Sequence, residues 1–119
     1  MTDGGVGELR RGDVVIISAP GDYGKPRPAV IVQADALNAQ HPSFIVCPFT
    51  STLVDAPLLR IQVRPSPGNG LQKVSQIMAD KLLTLRREKV EGPIGCLEEA
   101  VMQRLDAALA RVLGLQFGE

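Results

Sequence analysis

The sequence is 119 residues long, which allows one domain with one core, and 45% of it is hydrophobic, as in globular proteins. Its 13 basic and 13 acidic residues cancel, so no net charge attracts the whole protein to nucleic acid. Apolar runs such as residues 14–17 and 44–47 are far shorter than the roughly 20 residues that a membrane-spanning helix needs. The N-terminal residues lack the apolar segment of a signal peptide, so we expect a cytoplasmic protein that does not contact membranes.

The sequence offers no ligand set for a metal ion or for a redox pair. Cys47 and Cys96 stand far apart, neither has a second Cys or His nearby, and both lie in apolar surroundings. We predict that both are buried as small hydrophobic residues. The single histidine, His41, follows Gln40 in a polar loop, which argues against a catalytic role. We therefore expect neither a metal ion nor another cofactor.

The pattern along the chain is that of a sheet or barrel. Residues 1–8 are polar and rich in Gly, and we expect a flexible tail there, followed by one domain over residues 9–116. Short runs rich in Val and Ile, bounded by Gly, Pro, Asn or Ser, then predict β-strands. The predicted strands cover residues 13–18, 28–34, 43–49 and 58–64, with a less regular stretch at 73–85.

Hydropathy predicts the surroundings of two of these strands. Residues 59–64 alternate between apolar and polar side chains, so one face of that strand should meet water. Residues 29–32 are apolar throughout, which is typical of a strand buried on both faces.

Three segments between the strands are predicted to be loops. Residues 19–28 hold three Pro and two Gly, which excludes a helix and restricts how far the loop can flex. Residues 50–57 form the second loop. Residues 65–70, with the sequence PSPGNG, contain a strong turn signal.

The C-terminal part of the sequence has the periodicity of one amphipathic helix. Apolar side chains recur every three or four residues from Leu97 to Val112, with charged side chains between them. Acidic residues occupy the first turn and Arg111 the last, as the helix dipole favours, and Gly114 is placed to end the helix. The predicted fold is therefore mainly β with a C-terminal α-helix.

Charge is distributed unevenly although it sums to zero. Between residues 56 and 87 the only acidic residue is Asp80, whereas the basic residues there are Arg60, Arg64, Lys73, Lys81, Arg86 and Arg87. Such a segment can present a basic face to phosphates, or it can be an ordinary solvated surface. Composition alone leaves both interpretations open.

Six short motifs, taken in order, resemble those of the MazF/PemK-type toxins. They are RGDVV at 11–15, RPAV at 27–30, Asn38, PFTS at 48–51, Asp80 four residues before Thr84, and IGCL at 94–97 with LGL at 113–115. The resemblance spans nearly the whole chain. It implies an SH3-like small barrel, the PemK/CcdB-like plasmid maintenance toxin fold, with a C-terminal helix.

The resemblance also implies a function. Members of this family are toxins of type II toxin–antitoxin systems: homodimeric, metal-independent endoribonucleases, or mRNA interferases, that cleave single-stranded RNA, arrest translation and are neutralised by a cognate antitoxin. The catalytic positions of the family fall on Arg27, Thr50 and, in some members, an acid that matches Asp80. The family often has Gly-x-Glu-Gln-x-Gly before its Arg-Pro, whereas this sequence has DYGKP at 22–26, with no Glu.

The chemistry of these residues suits RNA cleavage. Arg27 offers a planar fork of donors to phosphate oxygens, and the prolines on either side restrict its backbone. Thr50 and Ser51 can bind a phosphate oxygen, although a Thr-Ser pair at a strand end is also a common turn element. Asp80 can serve as a base, or it can pair with a basic neighbour such as Arg27 or Lys81.

Further residues are predicted to bind RNA. Tyr23 can stack on a base, or it can pack its loop against the barrel. Lys25 and Arg86 are candidates for phosphate contacts, which position RNA without reading its sequence. Lys81 stands where the family usually has Gln after the acid, which predicts an altered RNA preference.

Two other functions fit the same fold. The first is a CcdB-like, non-enzymatic toxin that poisons DNA gyrase through its C-terminal helix. Such a toxin has no need of the Arg27 and Thr50 pair, so this pair favours the ribonuclease. The second is a binding module with an SH3-like barrel and no activity. With three Phe and one Tyr, the sequence is poor in the aromatic residues that line peptide-binding grooves.

Overall fold

The computed structural model describes residues 9–18 and 25–115. Its seven strands and two α-helices are β1 Asp13–Ile17, β2 Arg27–Ile31, α1 Asp35–Asn38, β3 Ser43–Thr50, β4 Arg60–Val63, β5 Ser75–Met78, β6 Leu83–Arg86, β7 Val90–Cys96 and α2 Glu99–Leu113. Single 3₁₀ turns lie at Ala79–Lys81 and Arg87–Lys89. The expected tail at residues 1–8 lies outside the described residues.

All strand pairs are antiparallel, and β3 organises them. Its first half pairs with β6, and its last two residues, Phe49 and Thr50, pair with β5. On its other side β3 pairs with β2, which pairs with β1, which in turn pairs with β7. β3 therefore takes part both in a five-stranded barrel and in a three-stranded sheet that it forms with β5 and β4.

The barrel consists of β6, β3, β2, β1 and β7 in that order. Side chains from all five strands meet in one cluster of buried residues, which are Leu9, Val15, Ile17, Ala29, Ile31, Phe44, Val46, Leu85 and Val90. Burying one of the Val, Leu, Ile or Phe side chains contributes roughly 1.5–3 kcal/mol relative to leaving it in water. Apolar strands with one shared interior thus give the small barrel that the sequence predicted.

A second cluster lies on the outer face of the same strands and is covered by β4, β5 and α2. Leu105, Ala108 and Leu109 of the helix pack there against Phe49 of β3 and Ile77 of β5. Because α2 is amphipathic, one of its faces covers this cluster while the other meets solvent. The helix is therefore part of the core and not an appendage.

Two predictions about strand surroundings are confirmed. In β2, Val30 belongs to the outer cluster while Ala29 and Ile31 belong to the barrel interior, so both faces are buried. In β4, Ile61 and Val63 are buried and Gln62 is exposed. Apolar content and alternation were sufficient to assign both strands.

The main strands and the helix are confirmed within a few residues, whereas two elements were missed. Gly114 ends α2 in a left-handed conformation with φ of 72°, as expected. The stretch at 73–85 divides into β5 and β6 around a 3₁₀ turn. The four-residue helix α1 was not predicted, and neither was β7, whose two Gly and one Pro resemble a turn.

One cysteine prediction is wrong. Cys47 lies fully buried in the outer cluster, and burial raises the pKa of its thiol to about 12. Cys96, in contrast, is exposed. It is the last residue of β7, opposite Asp13, and belongs to neither cluster. Apolar neighbours in sequence did not indicate burial because β7 is the terminal strand of the sheet.

Candidate active site

A groove of about 480 Å³ opens where β2 begins and β3 ends. One wall is formed by the start of β2 and by residues 49–52, and the other by residues 70–73, with Ile16 and Ile94 also in the lining. Among the described residues that line it are three cationic side chains, Lys25, Arg27 and Lys73, and no carboxylate. This groove therefore favours an anionic ligand.

Strand register brings Arg27 and Thr50 together. Ala29 lies opposite Pro48 and Ile31 opposite Val46, so the same register continued by two residues places Arg27 beside Thr50. Side chains directly opposite in an antiparallel pair have Cβ atoms about 4.5–5.5 Å apart. Arg27 is half-buried, and its Nε is buried. The guanidinium and the hydroxyl line one groove although 22 residues separate them in sequence.

Thr50 forms a turn as well as lining the groove. Its Oγ1 accepts a hydrogen bond from the backbone N–H of Thr52, at 3.1 Å. The alternative interpretation of Thr50 as a turn residue is therefore correct, and it is compatible with a role in binding. Because the oxygen is held as an acceptor, the hydroxyl hydrogen can donate to a phosphate oxygen in the groove. Ser51 is exposed and lines the same wall.

The opposite wall is fixed by the buried amide of Asn69. Its Oδ1 accepts from the N–H groups of Ser66 and Leu71 at 3.1 and 3.0 Å, and its Nδ2 donates to the carbonyl of Arg64 at 2.9 Å. Gly70 follows with φ of 73°, and a Cβ there would collide with the carbonyl oxygen of Ile94. The predicted turn at 65–70 is thus a rigid platform that carries residues 70–73 along the groove.

The structure does not bring Asp80 into this groove. Asp80 lies in the 3₁₀ turn after β5, and its Oδ1 accepts a hydrogen bond from Nε of Arg60 at 3.1 Å. That hydrogen bond, with smaller contributions from nearby positive charge, lowers the pKa of the carboxyl group below its ordinary value of 3.8. The expected partners of Asp80 were Arg27 or Lys81, and the partner in the structure is Arg60.

This ion pair predicts a pH-dependent effect on stability. A carboxyl group with a lowered pKa stabilises the fold above its unfolded pKa, and this contribution is lost as pH falls through the folded value. Asp80→Asn should therefore lower Tm at pH 7, and the difference from the wild type should shrink below about pH 4. Calorimetry at pH 7, 5 and 3, with the exposed Asp55→Asn as the matched control, measures it. Equal Tm values at pH 7 would show that the pair contributes nothing.

Three of the expected RNA-binding residues are not in the described lining. Arg86 pairs in register with Ser43, at the opposite end of β3 from Thr50. At about 3.3 Å per residue those two ends are roughly 23 Å apart, so within one chain Arg86 does not share this groove. Lys81 is exposed beside Asp80, also away from the lining. Tyr23 lies outside the described residues.

The remaining candidates are placed as follows. Lys25 lines the groove and is exposed. The ring of His41 is hydrogen-bonded to Ser43 at the far end of β3, outside the groove lining. Within residues 9–18 and 25–115, no three His, Cys, Asp or Glu side chains lie close enough to hold a metal ion, and no helix is long and apolar enough to cross a membrane.

Sequence reasoning missed one whole wall of the groove. Lys73 lines it, together with Gly70, Leu71, Gln72 and Ser75. The basic segment between residues 56 and 87 did include Lys73, but the position of the 65–70 turn against β7 could not be foreseen, because β7 itself was not predicted.

Comparisons with known proteins identify the family of this chain. Residues 10–113 match the family described as PemK-like, MazF-like toxin of type II toxin-antitoxin system. Over 108 residues the chain is 45% identical to a probable endoribonuclease MazF of Mycolicibacterium smegmatis, an alignment that covers 90% of this chain and 98% of the relative.

Solved structures give the same result for the fold. An endoribonuclease in complex with its cognate antitoxin from a mycobacterial species is similar with a TM-score of 0.75 and 25% identity, over 93% of this chain and all of that one. The Mycobacterium tuberculosis toxin MazF-mt6 matches with a TM-score of 0.77 and 21% identity, over 88% of this chain and 99% of the other. The resemblance drawn from the six motifs is confirmed: the chain belongs to the PemK-like, MazF-like toxin family of type II toxin–antitoxin systems.

Proposed function

We propose that this endoribonuclease toxin cuts single-stranded RNA in the groove between β2 and the 65–70 turn, without a metal ion. The observation that supports this most directly is that Arg27 and Thr50 share a groove whose described lining holds three cations and no carboxylate. An RNA strand carries one negative charge per phosphate, and such a groove attracts it even though the whole protein is neutral. The match to an endoribonuclease relative favours this function over a gyrase poison.

Arg27 is the proposed source of charge stabilisation. In metal-free cleavage the 2′-hydroxyl loses its proton to solvent and its oxygen attacks phosphorus. The bond to the 5′-oxygen then breaks, that oxygen takes up a proton from solvent, and negative charge builds on the non-bridging oxygens in between. A guanidinium can donate two parallel hydrogen bonds to those oxygens and remains charged at working pH. Because Arg27 is half-buried between Pro26 and Pro28, little reorganisation is needed when that charge develops. The products are a 2′,3′-cyclic phosphate and a 5′-hydroxyl.

Thr50 and Ser51 are proposed to orient the same phosphate. The turn at Thr50 holds the hydroxyl oxygen in place, so its hydrogen can be directed at one phosphate oxygen. Lys25 and Lys73 line opposite walls, and we propose that they bind the flanking phosphates. Contacts of that kind hold the strand in register and do not select bases. Asp80 is proposed to stabilise the β4–β5 hairpin through Arg60, outside the reacting groups.

The assembly is proposed from the family. Relatives include an endoribonuclease in complex with its cognate antitoxin, and MazE-MazF complexes of Deinococcus radiodurans. We propose that this chain likewise binds an antitoxin, and that an acidic segment of the antitoxin covers the groove at Arg27. We also propose that the chain forms a homodimer in the cytoplasm, as the family resemblance implies. Light scattering at micromolar concentration tests the dimer, and a monomer with full activity would contradict it.

Metal removal tests the proposed function. If Arg27 supplies the charge stabilisation, cleavage of a single-stranded RNA oligomer should proceed at an unchanged rate in excess EDTA. The rate is measured by fluorescence after dialysis against EDTA, and a parallel reaction with added Mg²⁺ is the control. Loss of activity in EDTA that Mg²⁺ restores would overturn the proposed mechanism.

A further inference from the structure

Gln76 of β5 lies directly opposite Thr50 of β3 and is almost completely buried, with 4% of its surface exposed. Its side chain forms hydrogen bonds with the backbone of Val54. The Oε1 accepts from the N–H of Val54 at 3.2 Å, and the Nε2 donates to the carbonyl of Val54 at 2.9 Å. One amide thus satisfies both backbone groups of a single residue, as a neighbouring strand would.

The segment that Gln76 holds at Val54 continues the wall of the groove formed by residues 49–52, which contains Thr50. Residues 51–55 are exposed and belong to no strand or helix. In the described part of the chain, the hydrogen bonds that join this segment to another strand are the two made by Gln76. The remaining one is the local bond from the N–H of Thr52 to Oγ1 of Thr50. The shape of the turn at residues 50–54 therefore depends on Gln76.

We propose that Gln76 is a positioning residue for RNA cleavage, which acts by fixing the turn at residues 50–54 and through it the hydroxyl of Thr50. This inference rests on the proposed function of the groove. Gln76 is absent from the lining, so it acts through Thr50 and not on RNA. A misplacement of about 1 Å at a reacting centre can cost on the order of a hundredfold in rate, so a turn that loses both hydrogen bonds should slow the chemical step.

The effect should appear in kcat and not in KM. The phosphates are held by Lys25 and Lys73, and Lys73 lies on the other wall, which Asn69 and not Gln76 fixes. Loosening the turn therefore leaves most of the binding contacts in place. A loss confined to the transition state lowers kcat and kcat/KM together while KM changes little.

Gln76→Met removes both hydrogen bonds at nearly constant volume, and Gln33→Met is the matched control. Gln33 is equally buried, at 4%, and its Nε2 donates to Oδ1 of Asn38 and to the carbonyl of Ser43, both at 3.0 Å. It lies outside the groove. Both variants should lose Tm to a similar extent. Only Gln76→Met should lower kcat, by about tenfold or more, with KM within about threefold.

A second variant tests the inference by comparing the rates of one folded protein at different pH values. Gln76→Glu keeps an oxygen that can accept the hydrogen bond from the N–H of Val54. When the carboxyl group is ionised, however, its second oxygen cannot donate to the carbonyl of Val54, and the two oxygens repel each other. When protonated it can donate as the amide does. Burial disfavours the charged form. The rate relative to wild type at the same pH should therefore rise as pH falls through the range in which the carboxyl group becomes protonated.

The results separate this inference from the proposed function. A wild-type kcat for Gln76→Met, or an equal loss of kcat in Gln33→Met, would overturn the role of Gln76. If Gln76→Met does not fold, a rate ratio for Gln76→Glu that stays constant through the pH range in which its carboxyl group titrates overturns it instead. Thr50→Val and Arg27→Ala in the same assay report on the groove itself: if both retain wild-type rates, the proposed function fails whatever Gln76 does.

Discussion

Arg27→Ala is expected to slow RNA cleavage by about a hundredfold or more, because removal of one preorganised donor to a developing oxyanion typically costs this much. The fold should survive, since Arg27 is the first residue of β2 and belongs to neither buried cluster. Rates are measured on one fluorescent RNA oligomer under single-turnover conditions. Tm, measured on the same preparation, is the control for folding.

Three further substitutions test whether the loss of rate is specific to the guanidinium group of Arg27. Arg27→Lys should recover little of the rate, because an ammonium group is a point charge and cannot reproduce the bidentate fork. Thr50→Val, which is nearly isosteric, should cost less than Arg27→Ala. Substitution of His41 should cost least, because its ring is bonded to Ser43 at the far end of β3. Arg27→Ala that cuts at the wild-type rate with an unchanged Tm would place the site elsewhere and favour the gyrase poison.

The predictable part of the fold follows from local pattern. Runs of β-branched residues gave β1 to β4 within a few residues, and three-to-four periodicity with Gly114 gave α2. β7 was missed because its two Gly and one Pro oppose a strand locally, and it forms only because β1 supplies its partner. Cys96 was misplaced for the same reason. Pairing between distant strands, which local composition does not encode, determined both errors.

The candidate site likewise contains residues that the sequence identified and residues that depend on the packing of distant segments. Arg27 and Thr50 were identified by family motifs, and the antiparallel register of β2 and β3 explains why they share one groove. Arg86 was chosen for its charge alone and lies at the other end of β3. Lys73 and Gln76 could not be assigned from sequence, because one depends on the packing of the 65–70 turn against β7 and the other on the β3–β5 register.

A substrate with 2′-deoxyribose at the cut position should resist cleavage entirely. In the proposed reaction the 2′-oxygen is the nucleophile and becomes part of the cyclic phosphate, so a nucleotide without it has no group to attack phosphorus. The cut position is first mapped by sequencing the 5′ ends of the products. One oligomer then carries deoxyribose on the 5′ side of that bond, and a control oligomer carries it two nucleotides away. Only the first should remain intact.

The resistant oligomer should still bind, and this makes its resistance interpretable. Lys25, Arg27 and Lys73 line the groove with donors to phosphate oxygens, which the deoxyribose substitution leaves unchanged. It should therefore inhibit cleavage of the all-ribose oligomer with an inhibition constant close to the KM of that oligomer. Resistance without inhibition would mean that the 2′-hydroxyl is needed for binding. Cleavage of the deoxyribose oligomer to a 5′-phosphate would show that water attacks phosphorus, and then Arg27 and Thr50 would have to stabilise a different transition state.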